Sequence, residues 1–254
     1  MKGSNYIILT MLLGLSSLNV VAAEKAAVLQ WSERVELSTP VSGVIKQVFV
    51  GVGDKVTKGQ GLIKIDDRGF QSHIKQAKAI LTRAKETFDE AKRELDRAAE
   101  LFDRNAISVR DRQLVKIEYT KAFASLQEAQ AILTQALLDM EYSTITSPIS
   151  GIVVSRSVVN GQTINNSIQA NVMIVVADNQ KMIARALLSS EEMKGLRIGT
   201  SSDVKVQGEI ISGTISSLGQ ESVSNDGSAK YPLEITFKNP GFLRQGQSAA
   251  IILP

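Results

Sequence analysis

"RAAELFDRNAIS", residues 97–108, interrupts two runs of regularly spaced apolar residues. Before it stand Ile74, Ala77, Leu81, Ala84, Phe88, Ala91, Leu95, Ala98 and Phe102; after it stand Val115, Tyr119, Ala122, Leu126, Ala129, Leu133, Ala136 and Met140. Steps of three and four residues alternate in both runs, which is the seam of a coiled coil. Residues 70–142 hold neither Gly nor Pro, and strong helix formers fill them. The two seams match in antiparallel order. Ile74 falls opposite Met140, Ala77 opposite Ala136, Leu81 opposite Leu133, Ala84 opposite Ala129, and so on to Ala98 opposite Val115. Every rung is symmetric about a fold point near residue 107, so the spacing predicts a helical hairpin with arms of about 50 Å. Two helices alone bury little surface, and such a projection reads as a device for reaching.

At the fold point Arg97 and Leu101 are four apart and share a helix face, one residue off the seam. Ser108-Val109-Arg110-Asp111 has the form of a capping box that starts the second arm. Two readings stand on these residues: a capped turn with no partner, or a tip whose off-seam Leu101 is covered by one.

The hairpin is bracketed by a repeat. Pro40, Ser42, Gly43 and Gly53 recur as Pro148, Ser150, Gly151 and Gly161 at one constant offset, with Val44 answered by Ile152 and Val56 by Ile164. Short β-rich runs between glycine turns predict paired strands in each half. Each half is too small for a core of its own, so the two fold against each other with the hairpin inserted between them.

The half-motif "GVIKQVFVGVGDKVTKGQGLIKI", residues 43–65, resembles half of a biotinyl/lipoyl domain. The split form with a hairpin between its halves resembles the periplasmic adaptors of tripartite efflux pumps, the HlyD-like membrane fusion proteins, over essentially the whole chain after residue 24. Arg97, Leu101 and Ser108 match the Arg-Leu-Ser spacing this family carries at its hairpin tip. The resemblance implies that these three engage a TolC-type outer-membrane channel, and that the chain partners an inner-membrane transporter, of the resistance-nodulation-division type first. It also implies a homo-oligomeric ring, a hexamer, and a place in the periplasm, held at the inner membrane through partners. An adaptor of an ATP-binding-cassette exporter is the alternative within this class. A lipoyl or biotinyl carrier subunit is the alternative from another. Against the carrier, Lys64-Ile65-Asp66-Asp67 runs straight into helix with no Met-Lys-Met or Asp-Lys-Ala motif, so no covalent cofactor is expected.

From residue 172 short strands recur, at 172–177, 183–188, 204–206, 210–218, 231–237 and 248–253. Turns are expected at Asn225-Asp226-Gly227 and Asn239-Pro240-Gly241, and one short helix from Ser189 or Ser190 through Leu196. A small β-barrel follows, with a strand added from residues 25–37. Its "FKNPGFLRQGQSAAI" ending is similar to the last barrel strands of the adaptors. Adaptors of the best-known drug pumps add a membrane-proximal domain; none is evident here, which leaves the barrel and lipoyl-like modules, or a second adaptor, to make the inner-membrane contact.

Lys2, the apolar run Tyr6–Val21 and the small residues Val21-Ala22-Ala23 form an export signal, cleaved before Glu24, with an uncleaved anchor as the alternative. The chain has no Cys, which excludes disulfides, thiolate metal sites and a cysteine nucleophile. Net charge +3, with both signs interspersed, makes no case for nucleic acid. The single histidine, His73, sits on an exposed helix position, and Met140, Met173, Met182 and Met193 are scattered. Neither a His-based triad nor a metal site has the material it needs, and no enzyme is expected.

The expected fold class is thus α+β: an elongated modular chain with an antiparallel coiled-coil α-hairpin inserted in a split lipoyl-like β domain, plus a small β-barrel. The expected segments are a signal peptide at 1–23, the barrel at 24–37 and 172–254, the split lipoyl/biotinyl-like domain at 38–66 and 144–171, and the hairpin at 67–143.

Overall fold

A computed structural model describes residues 24–165, 171–223 and 228–253. The expected export signal and the expected turn at Asn225-Asp226-Gly227 lie outside the described residues. Among the described residues, fourteen strands and two helices follow in the order β1 (Glu24–Trp31), β2 (Arg34–Leu37), β3 (Gly43–Val48), β4 (Lys55–Val56), β5 (Gly61–Ile65), α1 (Arg68–Asp103), α2 (Val109–Tyr142), β6 (Thr144–Thr146), β7 (Gly151–Arg156) and β8 (Thr163–Ile164). The order ends with β9 (Ile174–Ala177), β10 (Lys181–Ser189), β11 (Ser201–Val206), β12 (Glu209–Leu218), β13 (Lys230–Lys238) and β14 (Ser248–Ile252). The described residues form two compact units, one within Trp31–Lys181 and one of Glu24–Gln30 with those from Met182 onward.

In the first unit the sequence repeat becomes an exchange of strands. β4 leaves the first half to pair with β7, Lys55 opposite Ile152 and Val56 opposite Gly151. The equivalent β8 leaves the second half to pair with β3, Thr163 opposite Val44 and Ile164 opposite Gly43. Two four-stranded sheets result, β2-β9-β7-β4 and β6-β5-β3-β8. The hydrogen bonds repeat too: Gly53 N–H donates to the Val153 carbonyl at 2.9 Å and Gly161 N–H to that of Ile45 at 2.8 Å. The repeated glycines have two separate reasons. Gly53 and Gly161 turn the chain at φ 92° and 82°, where a side chain is strained. Gly43 and Gly151 allow close approach, since a Cβ on Gly151 would stand 2.0 Å from the Ala177 carbonyl oxygen. Between the sheets lie Ile45, Val50 and Val56 of one half with their repeats Val153, Val158 and Ile164, all buried.

β5 and β6 pair with each other, Ile63 opposite Ile145 and Lys64 opposite Thr144, and the two helices occupy the chain between them. Their facing residues run in antiparallel order: Ala84 and Phe88 pack with Leu126 and Ala129, and the Phe88 ring lies 5.4 Å from that of Tyr119. Every seam position named from the sequence is buried or half-buried. At the base Phe70 packs on the core between the sheets, and the Thr39 hydroxyl donates to the Tyr142 carbonyl at 2.8 Å, which ties down the last turn of α2.

The second unit is a closed six-stranded barrel in the order β1-β10-β13-β12-β11-β14. Its strands alternate in burial as a barrel wall requires: Met182, Ala184, Ala186 and Leu188 of β10 point in, as do Leu233, Ile235 and Phe237 of β13. Gln207 and Gly208, at φ 52° and 89°, make the tight turn from β11 to β12.

The structure departs from two expectations here. Residues 34–37 and 172–177 were expected in the barrel, yet β2 and β9 pair with each other, Arg34 opposite Ala177 through Leu37 opposite Ile174, and β9 pairs on to β7. The physical reason is apolarity on both faces: Ile174–Ala177 are all buried, and Met173, Ile174 and Val176 join the core of the first unit. The short helix after Ser189 is also replaced by turns. Ser189 and Glu192 form the reciprocal hydrogen bonds of a helix start, but Gly195 at φ 85° ends it before a second turn can form.

Candidate functional site: the helical tip

Both helix ends at the fold point are closed by local backbone chemistry. α1 stops because Asn105 takes the left-handed conformation at φ 56°. Its N–H donates to the Phe102 carbonyl at 2.9 Å, and the next N–H, of Ala106, reaches back to the Leu101 carbonyl at 2.8 Å. This is the Schellman arrangement, which satisfies carbonyls the helix would otherwise leave bare. α2 starts with the capping box read from the sequence. Asp111 N–H donates to Ser108 Oγ at 3.1 Å, Ser108 N–H donates to Asp111 Oδ2 at 3.3 Å, and Ser108 Oγ–H donates to the same oxygen at 2.7 Å. Asn105 is enriched in left-handed turns, so its presence is the signal that would have placed the stop of α1 from sequence.

Arg97 and Leu101 sit one turn apart near the end of α1, both exposed. The Arg97 guanidinium donates to Glu94 Oε1 at 2.8 Å, an exposed pair of the kind that holds a side chain weakly and releases it readily. Leu101 is 36% exposed, although its carbonyl is committed to the Schellman bond. Ser108 differs: its hydroxyl proton is engaged by Asp111, while a lone pair beyond the one taken by the Asp111 N–H is left to accept. Beside them the Arg112 guanidinium lies 4.7 Å from the Phe102 ring centre, a cation–π contact that joins the last seam rung of α1 to the first turn of α2. Neither Phe102–Arg112 nor Asp111 was singled out from sequence as a tip contact.

At the hairpin base the carboxylate of Asp67 is buried and paired with Lys64 Nζ at 3.1 Å and Lys46 Nζ at 3.9 Å. The Lys64 contact holds it below the ordinary aspartate range. Lys64 is therefore an ion-pair partner in a strand, not a residue presented on a turn. Among the described residues no three His, Cys, Asp or Glu side chains gather to hold a metal, and no helix is long and apolar enough to cross a membrane.

Two paired four-stranded sheets with two long helices between β5 and β6, and a separate closed six-stranded barrel, define the class of fold. Residues 33–177 match the model of the RND membrane fusion protein barrel-sandwich hybrid domain, more than half of the chain, and the chain belongs to that family. Among curated relatives, it is 32% identical over 145 residues to the multidrug resistance protein MdtE of Escherichia coli K12, covering 57% of this chain and 37% of that one. It is 27% identical over 205 residues to the macrolide export protein MacA of Yersinia pestis, covering 75% of this chain and 54% of that one. The chain thus spans roughly a third to a half of the length of these relatives. Among solved structures, the membrane fusion protein Spr0693 of Streptococcus pneumoniae R6 matches with a TM-score of 0.70 at 20% identity, over 90% of this chain and 97% of that one, a likeness of fold. A MacA–MexA chimera carrying the Pseudomonas aeruginosa MexA α-hairpin domain matches with a TM-score of 0.70 at 25% identity, over 90% and 77%.

Proposed function

We propose that this chain is a non-catalytic periplasmic adaptor that joins an inner-membrane efflux transporter, of the resistance-nodulation-division type, to a TolC-type outer-membrane channel. The observation that carries the proposal is the family match over residues 33–177, a span that includes both helices and the turn between them. In this reading the chain divides its labour: the hairpin reaches the channel, and the paired sheets and the barrel face the transporter. Hairpins of several copies, six by family resemblance, stand side by side as a tube whose tips meet the helical ends of the channel. Ring closure takes head-to-tail contacts between copies.

The tip chemistry supports docking. Arg97, released from its exposed partner Glu94, offers a planar fork of donors to a carboxylate or to backbone carbonyls. Leu101 supplies an apolar side chain already in water, so covering it is favourable. Ser108 accepts at short range without leaving its cap. The test is binding of the purified chain and its Arg97→Asp variant to a TolC-type channel from the same cell, with circular dichroism to check equal helicity. Loss of at least about tenfold in affinity is expected, since a reversed charge at an interface is costly. Equal binding by both chains would sink the docking role of the tip.

A further inference from the structure

Two grooves mark out one side face of the hairpin. Near the base His73, Gln76 and Ala77 of α1 line a groove with Gln135, Ala136 and Asp139 of α2. Two heptads nearer the fold point the same positions recur: Thr87, Glu90 and Ala91 line a second groove with Lys121, Ala122 and Ser125. A seam with a seven-residue repeat keeps each flanking row on one side along its whole length, which is why the positions agree. One further heptad towards the turn puts Arg97 beside Ala98 on α1 and Leu114 beside Val115 on α2. Leu101 continues the row of His73 and Thr87. Arg97, Leu101 and Leu114 therefore belong to one side face, to which both helices contribute.

Leu114 breaks the character of its row. From base to tip that row of α2 reads Gln135, Glu128, Lys121 and Leu114, and the matching row of α1 reads Gln76, Arg83, Glu90 and Arg97. Leu114 is the one apolar side chain in either, and it is 53% exposed. Folding does not call for it. Ser108 and Asp111 close the helix start between themselves, and Val115 takes the seam position. A lone exposed leucine is ordinary. This one shares its face with Leu101, the exposed leucine of α1, and with Arg97 in the row opposite.

Charge says what kind of partner fits. Residues 97–112 carry four arginines against Glu100, Asp103 and Asp111, and the Asp111 carboxylate is committed to Ser108. A partner matched to this end presents carboxylates around an apolar side chain. A flat lipid surface meets the end of the hairpin at Val109, whereas Leu114 lies about 8 Å back along α2, on the side. A helical end that enters beside the tip reaches it there.

We infer that Leu114 is a specificity-determining residue of the docking tip. Leu101 and Leu114 stand on the two rims of a notch floored by Ala98 and Val115, which takes one apolar side chain from a helical end of a TolC-type channel while Arg97 binds a carboxylate beside it. The inference rests on the adaptor reading above and adds α2 to the docking surface, so that the partner contacts both helices.

The test uses the full chain, expressed with its own leader, and the channel of the Arg97→Asp assay. Leu114→Gln, at an exposed helix position that glutamine suits, should weaken binding about tenfold with helical content and thermal midpoint unchanged. Leu114→Met restores apolar volume and should stay within about twofold of the parent. Exchanging two neighbours, Gln113→Leu with Leu114→Gln, keeps the composition and moves the leucine about 100° round the helix. The exchanged chain should bind as weakly as Leu114→Gln. Leu101→Gln and Leu114→Gln combined should lose less than the product of their separate losses, because either one opens the notch. Undiminished binding by Leu114→Gln would overturn the inference, and so would full affinity in the exchanged chain, the result a lipid surface or general adhesiveness gives. In both cases a loss of affinity in Arg97→Asp leaves the adaptor reading standing. A parent chain that does not bind the channel at all overturns the reading, and the inference with it.

Discussion

α1 and α2 are nearly equal in length and share one buried seam, yet their outer faces have opposite characters. Away from the seam α1 alternates Lys, Glu, Arg and Asp, and Leu101 is its one exposed large apolar side chain. α2 exposes Leu114, Ile117, Phe123, Ile132, Leu137 and Leu138. A helix charged away from its seam is complete when one neighbour covers that seam, whereas α2 keeps apolar side chains partly in water on the flanks of the seam as well as on its outer face. The contrast teaches that one buried seam is enough to hold the pair together, and that α2 carries apolar side chains beyond what that seam uses.

Removing a seam residue should cost far more than removing an outer one. Leu126→Ala, buried against Ala84 and Phe88, should destabilise the chain by about 2–5 kcal/mol, measured by urea unfolding followed by circular dichroism. A cost below that of an exposed substitution would break the comparison at its root. Next comes the turn that separates the helices. Asn105→Val puts a β-branched residue at φ 56° and should cost about 1–2 kcal/mol, whereas Asn105→Gly should cost little or stabilise. Ser108→Ala removes the α2 cap at about 1 kcal/mol, and Ser108→Asp should retain most of it.

The base of α1 gives a pH test. The folded-state pKa of Asp67 lies below its ordinary value of 3.8, chiefly through the hydrogen bond from Lys64. Its contribution is therefore present above that value and fades as pH falls through the lower folded one. Asp67→Asn should flatten the fall in thermal stability below pH 4; an unchanged acid limb would show the pair to be neutral for folding. In the barrel Glu192, lowered to about 2 by Lys25 and by Ser189, acts in the same direction, so Glu192→Gln should remove a separate part of the loss between pH 4.5 and 2. The smallest effect belongs to the outer face of α2: Leu138→Ala should change stability by less than about 0.5 kcal/mol, as exposed substitutions do. A large loss would mean that this face is covered within the chain.

Periodicity alone made much of this molecule readable. The alternating threes and fours named the positions that α1 and α2 bury, because a helix seam depends on spacing and little else. The capping box at Ser108 was readable because it is local, and the constant offset from Gly43 and Gly53 to Gly151 and Gly161 announced a domain made of two halves. Spacing put Arg97, Leu101 and Ser108 beside the fold point and the family resemblance grouped them, but their state was not readable: that Ser108 has its proton committed while Arg97 is held by Glu94 depends on side-chain geometry. The exchange of β4 and β8 between the halves, and the placement of β2 and β9 with β7 instead of in the barrel, were decided by tertiary structure. Short apolar strands such as Ile174–Ala177 carry no period that names a partner, and only the competition between two cores for the same buried surface settles where they pair.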